Sequence, residues 1–328
     1  MTIPYLLRLL CLCAATFFLV HSALGLALRL ASSSIVRFAH HMRPREATRF
    51  LLLLRFLPLA LATFVVLGVC LPSYLWLEPG ATSENVGTAF IIAAFCGASI
   101  LIFSILRAGR AVAAARHFAR TSDESRAAAA PELAGVNLPH VVLESEAPVI
   151  FMAGVIRPRL VLSNGVMRTL SQQQLESVVR HEAAHRTSRD NLKRLLILLS
   201  PEILPFARSF DLMDHAWAQF SEWAADDDAT GNDPERSLTL AESLVRVARM
   251  GAGPRPLPLF TSFIPPDDDF SARVNRLLHP PSFELKSWSR IRVIFGSAAY
   301  SLLLLIAVLL VRPSALLAVH QLLERLIH

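Results

Sequence analysis

In the polar half of this chain, the residues from Ser171 to His185 read SQQQLESVVRHEAAH. Ser171 and Gln174 have the spacing of a capping box, in which each side chain accepts a hydrogen bond from the other residue's backbone amide. Leu175 and Val178 follow at the spacing of an apolar helix face. The stretch therefore predicts a helix that begins after Ser171 and continues through His185.

The end of this predicted helix, His181-Glu182-Ala183-Ala184-His185, has the side chains and the spacing of a zinc site. Positions i and i+4 lie on one helix face, so both imidazoles can bind one ion. Glu182 projects toward the open coordination position, where a carboxylate can accept a proton from water. A chance pair of solvated histidines on an ordinary helix is the alternative.

A catalytic zinc ion usually has three protein ligands and one exchangeable water, so a third ligand is expected downstream. Glu202 is one candidate, although it follows Pro201 at a predicted helix break, where an acid at a helix start is equally natural. Glu222 is the other, in the predicted helix 211–228, with Asp226 one turn later to orient a ligand by a hydrogen bond. We favour Glu222 as the ligand, and an acidic solvated helix face is the alternative.

The composition indicates a membrane protein. Apolar residues make up 53% of the 328 residues and charged residues only 18%, which is more apolar than is usual for a soluble protein. Some segments reach the roughly 20 residues that a helix needs to cross a bilayer. They are Tyr5–Leu28, Phe56–Leu77, Thr88–Leu106 and Ile291–Val311. A cleaved signal peptide is the alternative for the first segment, but its apolar length favours a retained span.

The arginines predict the orientation of the spans. Six arginines lie between Arg29 and Arg55, whereas the link 78–87 has two acids and no Lys or Arg. Because basic connections face the cytoplasm, the polar stretch 107–290 is predicted to be cytoplasmic, with the amino terminus and the tail after residue 312 outside. Arginines along the chain supply nearly all of the positive charge behind the net charge of +6, and many of them lie beside apolar runs, so no direct nucleic-acid partner is predicted.

Short apolar runs in the polar stretch predict a small β-sheet. The runs are Val141–Leu143, Val149–Phe151 and Leu160–Leu162, and Gly154 and Pro158 are expected in a hairpin between the last two. Val149–Phe151 is a candidate sheet edge for an extended peptide, with core packing as the alternative.

Several segments resemble the BlaR/MecR-type membrane metallopeptidases, gluzincins that are related to the HtpX and CAAX-processing membrane peptidases. The segments are Gly154–Leu162, Leu175–His185, Arg189–Leu192, Glu222–Asp226 and Arg273–Leu278. The resemblance implies that Glu222 is the third zinc ligand and that Asp190 and Asn191 orient the metal-binding helix, although a helix-end cap explains the latter pair equally well. The sensor domain of that family is not expected here, so direct beta-lactam sensing is not predicted, and a separate sensor protein is the expected source of a signal.

Two more side chains are candidates near the site. His215 lies seven residues before Glu222 on the same predicted helix face, where it could stabilise an oxyanion, and a surface or packing histidine is the favoured alternative. Arg273 could bind a substrate carbonyl or carboxylate, and a structural ion pair is the favoured alternative.

These patterns predict a membrane α-helical part of about four spans joined to a cytoplasmic α+β, helix-rich zinc metallopeptidase domain, and the resemblance implies that this domain is gluzincin-like. Residues 1–110 are predicted to form three transmembrane helices with a basic cytoplasmic loop, and residues 111–290 the catalytic domain. Residues 291–328 are predicted to form the fourth transmembrane helix and a short external tail.

The expected function is peptide-bond hydrolysis at a bacterial inner (plasma) membrane. One Zn²⁺ per chain, held by His181, His185 and Glu222, activates a water that Glu182 deprotonates. The expected partners are the lipid bilayer and a cytoplasmic or membrane-proximal protein substrate, with a transcriptional repressor implied by the resemblance. An HtpX-like quality-control peptidase and a non-catalytic zinc-containing signalling scaffold are the alternatives, and the sequence predicts no particular oligomeric state.

Overall fold

The structure, a computed structural model, describes residues 5–77, 87–124, 138–204, 208–251, 259, 261–262 and 267–279. Within them, three helices are long and apolar enough to cross a membrane, at Leu6–Ala39, Pro44–Leu75 and Thr88–Phe118. They overlap the first three predicted spans over nearly their whole length. The fourth predicted span, Ile291–Val311, and the external tail lie outside the described residues.

The membrane part consists of α1 (Tyr5–Ala39), α2 (Pro44–Val65), a π-helical turn (Val66–Cys70), α3 (Leu71–Leu77) and α4 (Thr88–Glu124). Its three candidate spans of 34, 32 and 31 residues are about 46–51 Å long at 1.5 Å per residue, well beyond the roughly 30 Å of a bilayer's hydrocarbon. The helices therefore extend out of the bilayer. Most of the basic loop predicted after the first span is helical instead, and α4 continues without a break through residue 110, the predicted domain boundary.

A close approach between α1 and α4 depends on a glycine. A Cβ atom built on Gly97 of α4 would lie only 2.2 Å from the backbone oxygen of Ala14 in α1. Since no larger residue fits there, Gly97 lets the two helix backbones touch.

The polar part is a four-stranded sheet surrounded by helices. The strands are β1 (His140–Leu143), β2 (Ile150–Ala153), β3 (Arg159–Ser163) and β4 (Thr261–Ser262), in the order β1-β3-β2-β4. The helices are α5 (Asn164–Thr169), α6 (Gln172–Ser188), α7 (Asp190–Leu199), α8 (Asp211–Thr230), α9 (Pro234–Arg249) and α10 (Asp267–Leu278). The predicted hairpin is confirmed, because β2 pairs antiparallel with β3 and Gly154 at its turn has a φ of +98°, which favours glycine.

The prediction that Val149–Phe151 offers a free sheet edge is wrong. β2 lies between β3 and β4, and Phe151 pairs with Ser262 of β4. Further along the same side of β2, the Asn191 amide nitrogen donates hydrogen bonds of 2.8 Å to the carbonyl oxygens of Met152 and Gly154. The alternative of core packing describes this strand, which is buried throughout.

The domain is packed directly onto the membrane helices. One cluster joins α1 and α2 to α8, and it includes Phe50, Leu51, Phe210, Trp217 and Phe220. A second cluster places Ala111 and Ala115 of α4 against Phe151 and Val161 of the sheet. Consequently α8 and the sheet are both fixed relative to the candidate spans.

Candidate metal centre

The helix that carries the histidines begins as the sequence predicts. Ser171 Oγ accepts a hydrogen bond of 3.3 Å from the Gln174 amide, and Gln174 Oε1 accepts one of 3.1 Å from the Ser171 amide. This capping box fixes the first turn of α6, three turns before the motif. On the buried face of α6, His181 Nε2 and His185 Nε2 lie 3.1 Å apart.

α8 brings Glu222 to both imidazoles. Its Oε2 atom lies 3.4 Å from His181 Nε2 and 3.5 Å from His185 Nε2. Zinc bonds of about 2.0–2.1 Å at tetrahedral angles separate neighbouring ligand atoms by about 3.3–3.4 Å, so the three observed separations fit one ion. These three buried side chains form a group that could hold a metal.

Each histidine is oriented by an aspartate. His185 Nδ1 lies 2.8 Å from Asp190 Oδ2, which also accepts a hydrogen bond of 2.9 Å from the Ser221 hydroxyl. His181 Nδ1 lies 2.9 Å from Asp226 Oδ1. A carboxylate at Nδ1 keeps the proton on that nitrogen and leaves the Nε2 lone pair free for a metal.

A buried arginine from α10 completes the cluster. Arg273 donates hydrogen bonds of 2.7 Å from Nε and Nη2 to the two carboxylate oxygens of Asp226. Its Nη1 lies 3.2 Å from Glu222 Oε2, and its Nη2 lies 3.0 Å from His181 Nε2. Of the two interpretations of Arg273 offered by the sequence, this geometry matches the structural ion pair.

Glu182 is buried in the same place without a hydrogen-bonding partner. Its side chain has no exposed surface, and neither of its carboxylate oxygens has a hydrogen-bond partner in the part of the chain that the structure describes. Burial raises the pKa of Glu182, an effect that His185 and His181 oppose. Because a buried carboxylate without a partner is costly, the site has the donor set and the vacant hydrogen-bonding capacity that a metal ion and its water would satisfy.

The neighbouring charges shift the other pKa values in the cluster. Burial alone would raise the pKa of Glu222, but His185 and His181 hold it well below its usual range. Burial is likewise outweighed at Asp226, where Arg273 lowers the pKa to about 2. At His185, burial is outweighed by Glu222 and Asp190, which raise the pKa to about 10. Glu222 is therefore ionised beside the two imidazoles.

The other two candidates from the sequence lie elsewhere. Glu202 is buried against Arg55 of α2 at 3.2 Å and Arg107 of α4 at 3.0 Å, and its Oε2 accepts a hydrogen bond of 2.8 Å from the Ser209 amide. His215 is exposed on α8, about 10.5 Å along the helix axis from Glu222. The structure brings neither residue to the paired imidazoles.

Two features were not predicted from the sequence, one at the candidate metal centre and one where α2 meets α8. Ser221 reaches Asp190 from the position just before Glu222, at a distance of 2.9 Å. Arg55 also contacts Asp214 at 3.1 Å. The position of Arg55 within an apolar helix could have indicated this second feature, because a charge there needs a partner.

Comparison with known proteins agrees with this chemistry. Residues 115–247 match the model of Peptidase family M48, whose members are zinc-dependent. The matched region contains His181, Glu182, His185 and Glu222, and it supports a metallopeptidase of the M48 type attached to apolar helices. A search of the curated proteins gave no match.

Proposed function

We propose that this chain is an integral-membrane, zinc-dependent endopeptidase that hydrolyses peptide bonds in cytoplasmic or membrane-proximal proteins. One observation carries the proposal. His181 Nε2, His185 Nε2 and Glu222 Oε2 form a triangle with sides of 3.1, 3.4 and 3.5 Å. Glu182, one residue after the first histidine, presents a buried carboxylate whose oxygens have no hydrogen-bond partner among the described residues.

The roles of the side chains follow from this arrangement. Bound Zn²⁺ supplies Lewis acidity to a water and to the peptide carbonyl. Glu182, whose pKa is raised by burial, accepts the proton of the attacking water and passes it to the leaving amine nitrogen. Asp190 and Asp226 hold the imidazoles in the tautomer that binds metal, and Arg273 keeps Asp226 ionised.

The distribution of arginines supports a cytoplasmic position for the catalytic domain. The domain is packed on the ends of the candidate spans that carry Arg45, Arg49, Arg107 and Arg110. Since basic ends of spans remain in the cytoplasm, the domain faces the cytoplasm of a bacterial inner membrane and the amino terminus faces outward.

The resemblance to BlaR/MecR-type proteins suggests regulated cleavage of a transcriptional repressor as the biological role. The contacts of Glu202 with Arg55 and Arg107 support a route for a signal, because they join two membrane helices to the segment between α7 and α8. A separate sensor protein in the membrane would act through those helices.

Quality control of membrane proteins is the second candidate role. The match to Peptidase family M48 singles out no signalling subgroup, so a peptidase of the HtpX kind, with many damaged substrates, fits it equally. The two roles differ in the number of proteins that accumulate in cells that express Glu182→Gln in place of the wild type. One accumulating regulator supports the signalling role, and many membrane proteins support quality control.

Purified full-length protein tests the enzymatic proposal. We expect one zinc per chain by elemental mass spectrometry and hydrolysis of unfolded protein substrates, with Glu182→Gln retaining zinc and losing hydrolysis. Glu146→Gln, at an 82% exposed side chain paired with Arg168, is the matched control and should retain both. Zinc with no hydrolysis in the wild type would instead indicate the non-catalytic scaffold.

A further inference from the structure

A cavity of about 660 Å³ opens beside the candidate metal centre. It lies between the turn that joins β2 to β3 and the joint between α6 and α7, and His185 forms part of its wall. None of its lining residues belongs to the three candidate spans. The cavity is thus reached from the polar side of the molecule and adjoins a predicted zinc ligand.

The lining of the cavity is strongly basic. It contains Arg157, Arg159, Arg186 and Arg189, against a single acid, Asp190. The Asp190 carboxylate is already used by His185, Lys193 and Ser221.

Three of these arginines have no carboxylate within ion-pair distance in the described part of the chain. Arg157, Arg186 and Arg189 form no ion pair among the described residues, whereas Arg180, on the same helix as Arg186, is paired with Glu176. Uncompensated positive charge around a concave site attracts acidic groups and concentrates them there.

A buried acceptor in the wall of the cavity has no donor. Asn191 is 5% exposed, and its nitrogen is committed to the carbonyl oxygens of Met152 and Gly154. These two bonds fix the orientation of the amide. Its Oδ1 atom is buried without a hydrogen-bond partner from any described residue, which is a costly arrangement unless a ligand supplies an N–H group.

Two features of the rim suit an extended polypeptide. Ile156 is 89% exposed at the β2–β3 turn, where an apolar side chain of a bound segment can cover it. Arg189 has a φ of +56°, a left-handed conformation that usually belongs to glycine. The backbone of Arg189 is thus strained at a position where its side chain lines the cavity.

We infer that this cavity binds an acidic segment of the peptide substrate beside the bond to be cleaved. Arg157, Arg186 and Arg189 bind Asp or Glu side chains, and Asn191 Oδ1 accepts a backbone N–H. An anionic lipid headgroup is a weaker fit, because no residue of the candidate spans lines the cavity and a headgroup offers no row of backbone amides. The inference rests on the proposed function for the identity of the bound peptide as a substrate.

Binding can be measured without catalysis. The probe is a fluorescent peptide with four Glu residues on an Ala-Gly scaffold, compared with its Gln and Lys counterparts on full-length Glu182→Gln protein loaded with zinc. We expect the Glu peptide to bind most tightly, and the added substitutions Arg157→Gln, Arg186→Gln and Arg189→Gln to weaken it on the order of ten-fold or more. The control Arg249→Gln, at an exposed arginine of α9 outside the cavity, should leave binding unchanged.

Several results would overturn the inference. Equal affinity for the Glu and Gln peptides would do so, as would full binding by a folded triple variant. If the triple variant fails to fold, the single change Arg157→Gln at the exposed turn serves instead, and unaltered binding has the same meaning. Displacement of the Glu peptide by phosphatidylglycerol in mixed micelles, as effective as by unlabelled peptide, would assign the cavity to lipid.

Cleavage then separates this inference from the proposed function. Wild-type protein is given peptides from a digested proteome, and we expect Asp and Glu to be enriched beside the cleaved bonds, with the enrichment lost in the triple variant while neutral peptides are still cleaved. Hydrolysis without an acidic preference overturns the inference alone. Binding of the Glu peptide with no hydrolysis at all overturns the proposed function and leaves the acidic-peptide site supported.

Discussion

The guanidinium of Arg273 binds both carboxylate oxygens of Asp226, with Nε to Oδ2 and Nη2 to Oδ1 each at 2.7 Å. Both side chains are 1% exposed, and Asp226 Oδ1 also contacts His181. Removal of one partner of a buried ion pair leaves an uncompensated charge, which costs about 3–5 kcal/mol. We therefore expect Arg273→Ala to lower the free energy of unfolding by about 3–5 kcal/mol, measured by denaturation of the protein in detergent.

A control for this change is an exposed ion pair at the start of α9. Arg236 and Asp233 lie 3.4 Å apart, and their side chains are 53% and 42% exposed, so Arg236→Ala should cost about 1 kcal/mol or less. Equal destabilisation by the two variants would show that the contact between Arg273 and Asp226 has no special energetic weight.

The two glutamates that the sequence proposed as third ligands are expected to behave differently. Glu222→Gln should reduce bound zinc well below one per chain, because its Oε2 atom lies within 3.5 Å of both imidazole Nε2 atoms. Glu202→Gln should retain zinc and lose thermal stability, because Glu202 is paired with Arg55 and Arg107. Elemental mass spectrometry and thermal unfolding give both readouts, and full zinc in Glu222→Gln would remove the proposed ligand set.

Local sequence predicted those parts of the site that depend on a single helix. The spacing of His181 and His185, and the capping of α6 by Ser171, are set by residues within one or two turns of each other. The sequence favoured Glu222 over Glu202 because Asp226 follows it by one turn, but the approach of Glu222 to both imidazoles depends on how α8 packs against α6 in the folded domain.

Hydrophobic periodicity could not predict contacts between residues that are far apart in the chain. Arg273 and Asp226 are 47 residues apart, and Arg55 and Glu202 are 147 residues apart. For the same reason the sequence predicted a free edge at β2. The strand pattern gave no sign that β4, from a segment about 110 residues later, would pair with Phe151.

Asp190 is expected to affect zinc affinity without contacting the metal. Asp190→Asn removes the charge that holds the proton on His185 Nδ1, which lies 2.8 Å away. Loss of such an orienting partner typically weakens metal binding by about 10–100-fold. Competition with a chromogenic chelator measures the change, with Asp211→Asn in the exposed first turn of α8 as the control. Matching affinities in the two variants would exclude an orienting role.

Stability should depend on pH through Asp214. Burial raises its pKa from 3.8 to about 6, with Arg55 opposing the rise and Glu202 adding to it. A carboxyl group with a higher pKa in the folded state binds its proton more tightly when folded. Its contribution to stability is therefore fully present below about pH 4 and is lost as the pH rises through about 6.

Thermal unfolding of wild type and Asp214→Asn tests this dependence. Between about pH 5 and about pH 7.5, the melting temperature should fall further in the wild type than in the variant, because only the wild type releases this proton. Titrations of other groups are common to both proteins and cancel in the difference. Parallel curves would show that Asp214 has an ordinary pKa in the folded protein.

The crossing of α1 and α4 provides a test within the membrane part, from two glycines on one helix. In Gly97→Ala the new Cβ atom would lie 2.2 Å from Ala14 O, a backbone atom that cannot rotate away. The helices must separate, at a cost of about 1–3 kcal/mol. Gly109→Ala meets nothing within 4 Å and should gain about 0.5–1 kcal/mol, because alanine loses less backbone entropy in a helix. Opposite shifts in thermal unfolding are therefore expected, and a Gly97→Ala variant as stable as Gly109→Ala would mean that α1 and α4 do not cross at this residue.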